Sequence, residues 1–478
     1  MKRYCLSVLL VVLLISLGCR EPDSGLEAGA NAGLARLDFR KVVKDAKDKV
    51  FPAVVFIKCL KESHERGKKI TEEVSGSGVL ISPEGEILTN WHVVDKAVEV
   101  RCLLFDGRSM DAKVVGSDKD TDLALVQLKL PDKPDKPNTD ADAEKPDTDD
   151  AGGLPHAILG DSTTLKEGDF VMAMGAPWGL SRSVSIGIIS CTHRFLPSHS
   201  EYSLWLQTDA AICPGNSGGP LVNTRGEIIG INTLAAMIGG DMGFAVPAET
   251  IAYILPQLRE FKKVNWSWTG LQLQPLRDFN RNMYFEGAEG VIVAETDPES
   301  PARRAGILAR DRILKVAGKP VNAPTEEALP LVRRGLGLLA KDEPVQVELL
   351  RKGENVTVML TPRTKGKVEG EELDCPRWDL TVKAINQFDN PDLYFHRKKG
   401  VFIYGVKYPG NASNAGLQTQ DIVLKIDGKE VVTLEDVGKI HKAALKEIKK
   451  KHRIVFTLLR NGLMCQVVLD FARDFEKE

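Results

Sequence analysis

The segment between residues 53 and 246 consists of short runs rich in β-branched residues, and each run is bounded by glycine, proline or aspartate. Short strands at such spacing are typical of a β-sandwich or β-barrel, so we predict two β-barrels in succession. The predicted strands of the first are Ala53–Leu60, Gly76–Ser82, Ile87–Thr89, Val98–Phe105, Ala112–Ser117 and Leu123–Lys129. Those of the second are Ala157–Leu159, Phe170–Met174, Val184–Cys191, Leu204–Gln207, Leu221–Val222, Ile228–Ala235 and Gly243–Val246.

Helical and irregular segments flank and separate the predicted barrels. Helices are expected from Asp38 to about Val50 and from 247 to 262, where apolar residues recur at helical spacing. Residues 20–37 are small and polar, and we interpret them as a flexible tether. Residues 131–153 contain many acidic residues and prolines but no large apolar residue, so they cannot bury enough surface to become ordered. This run is predicted to be a disordered insert between the barrels, either solvated filler or a regulatory element.

The C-terminal part contains an internal repeat. The segment Ala302–Lys319 aligns without a gap with Ala412–Lys429, which lies 110 positions later in the chain. Both copies contain Ala-Gly, then an aspartate, and then an apolar run that ends in Gly-Lys. We therefore predict two copies of one small domain, with limits near 266–364 and 375–472. The charged and glycine-containing run 364–373 is the expected linker.

Three motifs, in the order His, Asp, Ser, point to one chemistry. His92 lies in Thr-Asn-Trp-His-Val-Val, Asp122 in Thr-Asp-Leu-Ala-Leu, and Ser217 in Gly-Asn-Ser-Gly-Gly-Pro. A serine hydroxyl becomes a useful nucleophile when an imidazole takes its proton, and that imidazole needs a carboxylate to fix its tautomer and stabilise its charged form. We therefore predict that Ser217 is a nucleophile, His92 its general base and then acid, and Asp122 the orienting carboxylate.

The glycines around Ser217 predict the second part of such a site. Glycine allows a tight turn that directs several backbone N–H groups at one point, as the stabilisation of an oxyanion requires. The predicted oxyanion hole is formed by Gly215, Asn216 and Ser217, with the N–H groups of Gly215 and Ser217 as the donors.

These motifs resemble those of the HtrA (Deg) family of trypsin-like serine proteases, and the resemblance covers almost everything after residue 38. It implies a mainly β fold, with a chymotrypsin-like double β-barrel over residues 38–263 followed by two PDZ domains over 266–364 and 375–472. The motifs that carry the resemblance are Gly76-Ser77-Gly78-Val79, Thr89-Asn90-Trp91-His92-Val93, Asp122-Leu123-Ala124, Gln207-Thr208-Asp209-Ala210-Ala211-Ile212, Gly215-Asn216-Ser217-Gly218-Gly219-Pro220 and Gly243-Phe244-Ala245-Val246-Pro247.

Residues near the nucleophile predict substrate preference. The candidate pocket residues include no carboxylate, so a preference for lysine or arginine before the cleaved bond is not expected. We predict a small or medium aliphatic residue there. The candidate pocket residues are Ile212, Cys213, Asn232, Thr233 and Leu234.

PDZ domains bind C-terminal carboxylates in a nest of backbone amides and hold the peptide as an added strand. In the first copy Thr269, Gly270 and Leu271 occupy the position of the family's binding loop, which predicts capture of C-terminal peptides. In the second copy Asp379 stands where glycine is expected, and its carboxylate would repel a peptide terminus. For that copy assembly or packing is favoured over peptide binding.

Bulk properties exclude several classes of function. The net charge is −2, so the basic face of a nucleic-acid-binding protein is not expected. No nucleotide-binding Gly-x-x-x-x-Gly-Lys-Ser/Thr run is present in the sequence, which predicts an ATP-independent protein. No cysteine or histidine spacing resembles a zinc site, and neither a metal nor another cofactor is expected.

The N-terminus predicts export. Met1-Lys2-Arg3 precedes an apolar run from Leu6 to Leu17 that is short for a transmembrane helix, and Ser16-Leu17-Gly18-Cys19 follows. This ending resembles a bacterial lipobox, so 1–19 is interpreted as a signal peptide, with lipidation of Cys19 as a membrane anchor. Ordinary signal-peptidase cleavage and a retained signal anchor stay open. Each alternative places the protein outside the cytoplasm, as in the periplasm.

Six cysteines remain after the signal peptide, and six allow fifteen disulfide connectivities. Cys375 and Cys465 are the suggested pair, because a PDZ fold would place their strands side by side; buried free thiols are the alternative. The family resemblance also implies a homotrimer or a multiple of trimers. Aromatic residues that could form the contact are Phe39, Phe195 and Tyr202, and ordinary core packing is the alternative.

The sequence therefore predicts a serine endopeptidase that cleaves unfolded or damaged exported proteins, with PDZ domains for peptide recognition, regulation and assembly. Two alternatives stay open. One is a chaperone or peptide-sensing scaffold with secondary proteolysis. The other is a regulatory protease for one dedicated membrane protein, with which short loops such as Glu62–Thr71 are compatible.

Overall fold

The computed structural model describes residues 38–130, 153–179, 182–196, 199–236, 242–278 and 280–475. The predicted signal peptide with Cys19, the tether 20–37 and all but the last residue of the insert 131–153 lie outside the described residues. No helix in the described part of the chain is long and apolar enough to cross a membrane.

The first module is a closed six-stranded antiparallel barrel in the order β1-β2-β3-β6-β5-β4. Its alternating apolar residues, such as Ile57, Leu88 and Leu125, are fully buried inside it. β1 and β2 extend beyond their predicted ends, so Glu62–Thr71 is not a short loop but the end of a long hairpin whose paired residues reach Ser63 and Ile70. The strands are β1 (Val54–Ser63), β2 (Ile70–Leu80), β3 (Glu86–Thr89), β4 (Ala97–Leu103), β5 (Ser109–Asp118) and β6 (Leu123–Leu128).

The second module is another closed six-stranded antiparallel barrel, in the order β10-β11-β12-β9-β8-β7. Val171, Ile189 and Leu221 are fully buried in its core. The segment 157–159 is not a strand of the barrel, because only Leu159 pairs, in an isolated parallel bridge with Ile228. The strands are β7 (Phe170–Gly175), β8 (Ser183–Phe195), β9 (Leu204–Thr208), β10 (Pro220–Asn223), β11 (Ile228–Ala236) and β12 (Met242–Pro247).

Helices begin and end the double barrel. The first helix starts after Asp38, whose carboxylate accepts the N–H of Arg40 as an N-cap. The third helix follows β12 and buries Ile251, Ile254 and Leu258. The helices described in the chain are α1 (Phe39–Val50), α2 (Trp91–Val94), α3 (Ala248–Phe261), α4 (Pro301–Arg304), α5 (Leu329–Gly337), α6 (Pro391–His396), α7 (Asn411–Ala415) and α8 (Leu434–Lys446), with 3₁₀ turns at Phe51–Ala53, Pro177–Gly179 and Glu326–Ala328.

The repeated sequence folds into two similar small β domains, which we call the first and second repeats. The first has a sheet in the order β14-β17-β18-β20-β21, and α5 packs over its core. The strands are β13 (Ser267–Trp268), β14 (Leu271–Gln274), β15 (Arg277–Asp278), β16 (Met283–Tyr284), β17 (Val291–Thr296), β18 (Arg312–Val316), β19 (Lys319–Pro320), β20 (Val345–Arg351), β21 (Glu354–Leu360) and β22 (Arg363–Thr364).

The second repeat has the same order with one strand added at the edge, β23-β24-β25-β26-β28-β29. Its core is centred on Trp378, which contacts Phe456 edge-to-face at 5.4 Å between ring centroids. The strands are β23 (Glu372–Cys375), β24 (Leu380–Ala384), β25 (Val401–Val406), β26 (Ile422–Ile426), β27 (Lys429–Glu430), β28 (Arg453–Arg460) and β29 (Leu463–Asp470).

The suggested disulfide is wrong, and Tyr202 agrees with the alternative of ordinary core packing. Cys375 and Cys465 are both free thiols. Their strands are not neighbours, since β23 pairs with β24 and β29 pairs with β28 at the opposite end of the sheet. Tyr202, a suggested subunit contact, is 8% exposed and stacks on Trp266 at 4.5 Å within the same chain. Its surface is therefore already used between the barrels and the first repeat.

We expect Phe456→Ala to destabilise the second repeat by about 3–5 kcal/mol, because Phe456 is fully buried against Trp378 and its removal leaves a cavity. Hydrogen exchange at the β28 amides would measure the loss. The control is Leu463→Ala, which should change the free energy of unfolding by less than about 0.5 kcal/mol because Leu463 is 74% exposed. Equal effects of the two substitutions would contradict this packing.

Candidate active site

A short helix and two turns bring the predicted triad residues to one place between the barrels. His92 lies on α2, which directly follows β3, and Asp122 lies in the turn between β5 and β6. Ser217 lies in the turn that precedes β10. The first barrel thus supplies the imidazole and the carboxylate, and the second barrel supplies the hydroxyl.

The imidazole of His92 is held by the Asp122 carboxylate. His92 Nδ1 lies 2.8 Å from Oδ2 and 3.0 Å from Oδ1 of Asp122, and the backbone N–H of His92 donates to Oδ1 at 3.0 Å. Asp122 has a positive φ of 53°, and its carbonyl accepts from the Asn90 amide at 3.0 Å. Because Nδ1 faces the carboxylate, Nε2 is directed away from Asp122 and is free to face a substrate or a hydroxyl.

Thr233 connects the carboxylate to Ser217. The Thr233 hydroxyl donates to Oδ2 of Asp122, and the Ser217 hydroxyl donates to the Thr233 carbonyl at 3.1 Å. No hydrogen bond joins Ser217 Oγ to His92 within the described residues, so the hydroxyl rests on Thr233. In proteins without bound substrate, catalytic hydrogen bonds are often formed only later.

The turn around Ser217 is fixed by contacts that only glycine permits. Gly218 has a φ of 86°, and a Cβ there would lie 2.1 Å from the Ser77 carbonyl oxygen. The Ser77 N–H donates to the Ser217 carbonyl at 2.8 Å, and its hydroxyl donates to the Gly215 carbonyl at 2.6 Å. The Gly76-Ser77-Gly78 motif of β2 therefore supports the nucleophile turn, a role that the motif alone did not indicate.

The backbone donors of this turn divide into two groups. The N–H of Asn216 donates to the Cys213 carbonyl at 2.9 Å, and the N–H of Gly218 donates to the Asn232 carbonyl at 2.8 Å. The N–H groups of Gly215 and Ser217 have no hydrogen-bond acceptor among the described residues. Gly215 has a φ of 100°. Residues with a Cβ rarely adopt this backbone conformation, so glycine permits the turn here.

The five predicted pocket residues lie in different environments. Ile212 is 8% exposed and belongs to the core of the second barrel. Asn232 is fully buried, and its amide donates to the carbonyls of Met174 and Pro220. Thr233 is turned towards Asp122, Cys213 is exposed, and the backbone of Leu234 pairs with Phe244.

A second side chain holds the backbone of the histidine helix. The Lys61 ammonium on β1 donates to the His92 carbonyl. Burial lowers the pKa of Lys61, partly offset by the Asp95 and Asp122 carboxylates. Its position was not predicted, because nothing in the sequence around Lys61 indicates that β1 passes beneath α2.

The turn that carries Asp122 is also held by distant parts of the chain. Asp118 is buried and accepts from the Trp266 indole at 2.9 Å and from the Thr121 N–H at 2.9 Å. Lys365, which follows the first repeat, donates to Asp120 at 2.9 Å, and Ser200 donates to the Asp120 carbonyl. Both ends of the first repeat therefore contact the turn between β5 and β6.

The predicted peptide-binding loop of the first repeat lies at the start of β14. Gly270 has a φ of 71°, and a Cβ there would lie 2.1 Å from Ser300 Cβ. The Leu271 N–H makes a long contact of 3.4 Å with the Thr269 hydroxyl. Beside this loop is a cavity of about 410 Å³, whose lining includes Gly270, Leu271, Leu336, Tyr202 and Lys365.

Burial and the neighbouring Asp120 carboxylate raise the pKa of Asp118 to about 7. The folded protein then keeps a proton that the unfolded chain releases near pH ~4. Because the folded state binds more protons in this window, the free energy of unfolding should fall as the pH rises from about 4 to about 7. Asp118→Asn should flatten this decline in urea unfolding, while Asp48→Asn on the exposed face of α1 should not. An unchanged pH slope in Asp118→Asn would contradict the assignment.

Comparisons with known proteins agree with this architecture. The trypsin-like peptidase domain family matches residues 76–231, and the PDZ domain family matches residues 268–361. The probable periplasmic serine endoprotease DegP-like of Halomonas elongata is 34% identical over 408 residues, which cover 83% of this chain and 79% of that protein. The probable periplasmic serine endoprotease DegP-like of Marinomonas sp. is 33% identical over 395 residues, which cover 81% of this chain and 77% of that protein.

Solved structures of a related protease resemble most of the fold. The HtrA-type protease AlgW with a tripeptide is similar at a TM-score of 0.56 and 30% identity, over 68% of this chain and 97% of that one. AlgW with a decapeptide is similar at a TM-score of 0.55 and 28% identity, over 68% of this chain and 99% of that one. The chain belongs to the family of HtrA-type, DegP-like serine endoproteases and is a serine endopeptidase with a trypsin-like domain and PDZ domains.

Proposed function

We propose that Ser217, His92 and Asp122 perform the peptide hydrolysis. Ser217 Oγ attacks the carbonyl carbon of the substrate while His92 Nε2 takes its proton. His92 then gives that proton to the leaving amine, and water releases the acyl group from Ser217 by the same two transfers in turn. The observation that supports this assignment is the contact of both Asp122 oxygens with His92 Nδ1, which leaves Nε2 available.

We propose that the Ser217 hydroxyl changes its hydrogen-bond partner before it reacts. Ser217 Oγ donates to the Thr233 carbonyl, and in the reactive arrangement it would donate to His92 Nε2 instead. Substrate binding would favour that arrangement by placing a carbonyl carbon beside Oγ. Thr233 acts as a positioning residue, because its hydroxyl holds Asp122 Oδ2.

The oxyanion that forms during attack is assigned to the N–H groups of Gly215 and Ser217. Their lack of an acceptor within the described residues supports this role, since a preorganised donor is available without breaking another bond. Asn216, between them, contributes the turn rather than a donor, because its N–H is already bonded to Cys213.

For the substrate, we propose unfolded or locally frayed exported proteins. Cleavage after a small or medium aliphatic residue stays a proposal; exposed Cys213 lies next to the nucleophile turn, whereas Ile212 and Asn232 are core residues that would shape the pocket from behind. The similar proteins of Halomonas elongata and Marinomonas sp. are probable periplasmic endoproteases, which supports a periplasmic location for this chain. Lipidation of Cys19 as an anchor belongs to the same proposal.

The first repeat is proposed to bind C-terminal peptides at Thr269, Gly270 and Leu271. Three observations support this: the outer edge of β14, which has no paired strand in the part of the chain that the structure describes, the cavity beside it, and the peptides present in structures of the similar protease AlgW. We also propose assembly into a homotrimer or a multiple of it, with exposed Phe39 among the candidate contact residues.

Ser217→Ala should abolish the cleavage of reduced casein by the mature chain, because it removes the attacking oxygen. The rate of fragment release, followed by gel electrophoresis, measures the effect, and circular dichroism checks that both proteins are equally folded. Persistent cleavage by the folded Ser217→Ala protein would overturn the assignment of the nucleophile.

Thr233→Val should lower kcat/KM by about 10- to 100-fold, because it removes a hydrogen bond to a charged carboxylate without changing the size of the side chain. Peptide cleavage kinetics would measure the effect. The matched control is Thr250→Val on α3. It removes a buried hydroxyl that has no hydrogen-bond partner in the described structure. Equal kinetics in the two variants would show that Thr233 does not position Asp122.

A further inference from the structure

The two repeats differ at the sheet edge where a PDZ domain receives its ligand. In the first repeat β14 pairs with β17, and its other edge has no strand beside it among the described residues. In the second repeat the equivalent strand, β24, pairs with β25 on one side and with β23 on the other. The segment Glu372–Cys375 therefore occupies the edge that is open in the first repeat.

This segment has the direction of a PDZ ligand. β23 runs antiparallel to β24, with Cys375 opposite Leu380 and Glu372 opposite Lys383. Its C-terminal end therefore lies at the start of β24, next to the loop that binds the ligand terminus in strand addition. α8 flanks β23 on its other side, since a Cβ on Gly438 would lie 3.6 Å from Leu373 Cδ2.

Alternate side chains of β23 enter the domain, as expected for a strand between a sheet edge and a helix. Cys375 is fully buried, and Leu373 packs against the same core. Burial raises the pKa of the Cys375 thiol, which keeps it in its neutral, apolar form. These two side chains fill the positions that the last and third-last residues of a ligand would take.

The terminus-binding loop is also engaged by the chain itself. The Trp378 N–H donates to the Cys375 carbonyl at 3.2 Å, and His441 Nε2 of α8 contacts the Pro376 carbonyl at 2.7 Å. Asp379, at the position of Gly270, is 2% exposed and accepts the Asn411 N–H at 2.8 Å. The Cys375 carbonyl thus uses a backbone donor of the loop that would otherwise be available to the terminal carboxylate of a peptide.

The outward side chains of β23 contact the first barrel. Glu372, with its side chain 8% exposed, binds Lys96 at 2.7 Å and His64 Nδ1 at 3.1 Å. The same surface of the second repeat holds the end of the β1–β2 hairpin, because Thr381 donates to the His64 carbonyl and Tyr404 donates to Glu65 at 2.9 Å. The position of β23 therefore also fixes a surface that faces the hairpin.

We infer that Glu372–Cys375 is a built-in ligand of the second PDZ domain. This domain is closed to C-terminal peptides, and its partner is the hairpin end around His64 and Glu65 of the same chain. Peptide capture is left to the first PDZ domain, a point that rests on the proposed function.

The number of peptide sites tests the inference. The probe is a fluorescent ten-residue peptide with a free C-terminal valine, titrated against the full chain carrying Ser217→Ala, and its C-terminally amidated form is the control. One site per chain is expected, with slower hydrogen exchange at 271–274 on binding and no change at 372–375 or 380–384. Two sites, or a peptide-dependent change at 372–375, would overturn the inference.

Failure of the first domain to bind would be distinguishable. If no peptide binds, the proposed peptide binding by the first domain is wrong. Hydrogen exchange in the peptide-free chain then tests the built-in ligand of the second domain. The amides of β23 must then exchange as slowly as those of β25. Exchange as fast as in exposed loops would overturn the built-in ligand.

A substitution in β23 provides an independent test. Leu373→Asp should accelerate exchange at 372–375 and 380–384 by at least about tenfold, because a carboxylate is then placed against the core. Leu463→Asp, at an exposed site of the same domain, is the matched control and should leave these amides unchanged. Retained slow exchange in β28 would show that the domain is still folded, and equal exchange of β23 in both variants would contradict the inference.

Discussion

The carboxylate of Asp122 is the interaction on which the site depends. It accepts the backbone N–H and ring nitrogen of His92 from the first barrel and the hydroxyl of Thr233 from the second. A partly buried carboxylate is stable only when donors replace the lost water. The two barrels therefore meet at this point, and Thr233, which binds the carboxylate through its hydroxyl, accepts the Ser217 hydroxyl at its carbonyl.

Support for this carboxylate extends beyond the barrels. The turn from Asp118 to Asp122 receives Trp266 from the start of the first repeat and Lys365 from its end. The first repeat is therefore tied to the same turn that presents Asp122. A change in the position of that repeat would act on the turn directly, because Trp266 and Lys365 bind Asp118 and Asp120 through hydrogen bonds of 2.9 Å.

The two repeats show how one fold acquires different roles. Their strands follow the same order, but the linker before the second forms β23 and fills the edge beside β24. An open strand edge can pair with another chain, and among the described residues the edge of β14 has no strand beside it, whereas that of β24 is paired with β23. The substitution of glycine by Asp379 was the sequence signal of this difference, although it indicated repulsion of a ligand rather than an internal one.

Much of the fold could be predicted because it is encoded locally. Short β-branched runs bounded by glycine, proline or aspartate predicted most strands of both barrels, and the gapless alignment of Ala302–Lys319 with Ala412–Lys429 predicted the repeat. The ends of strands were less predictable. The hairpin from β1 to β2 contains polar residues that look like a loop, and it is ordered by contacts with Thr381 and Tyr404, more than 300 residues away. The suggested pairing of Cys375 with Cys465 failed because β23 and β29 lie at opposite ends of the sheet.

The sequence by itself indicated the chemistry, because a histidine, an aspartate and a serine follow in the order His92, Asp122, Ser217, and the serine is flanked by glycines that permit a tight turn. Only the tertiary structure decided which groups surround them: Thr233 on the carboxylate, Lys61 on the His92 carbonyl, and Asn232 with its buried amide on the carbonyls of Met174 and Pro220. The reason is physical. Periodicity and turn propensity act over a few neighbouring residues, whereas a hydrogen bond across a barrel interface depends on where two distant strands come to lie.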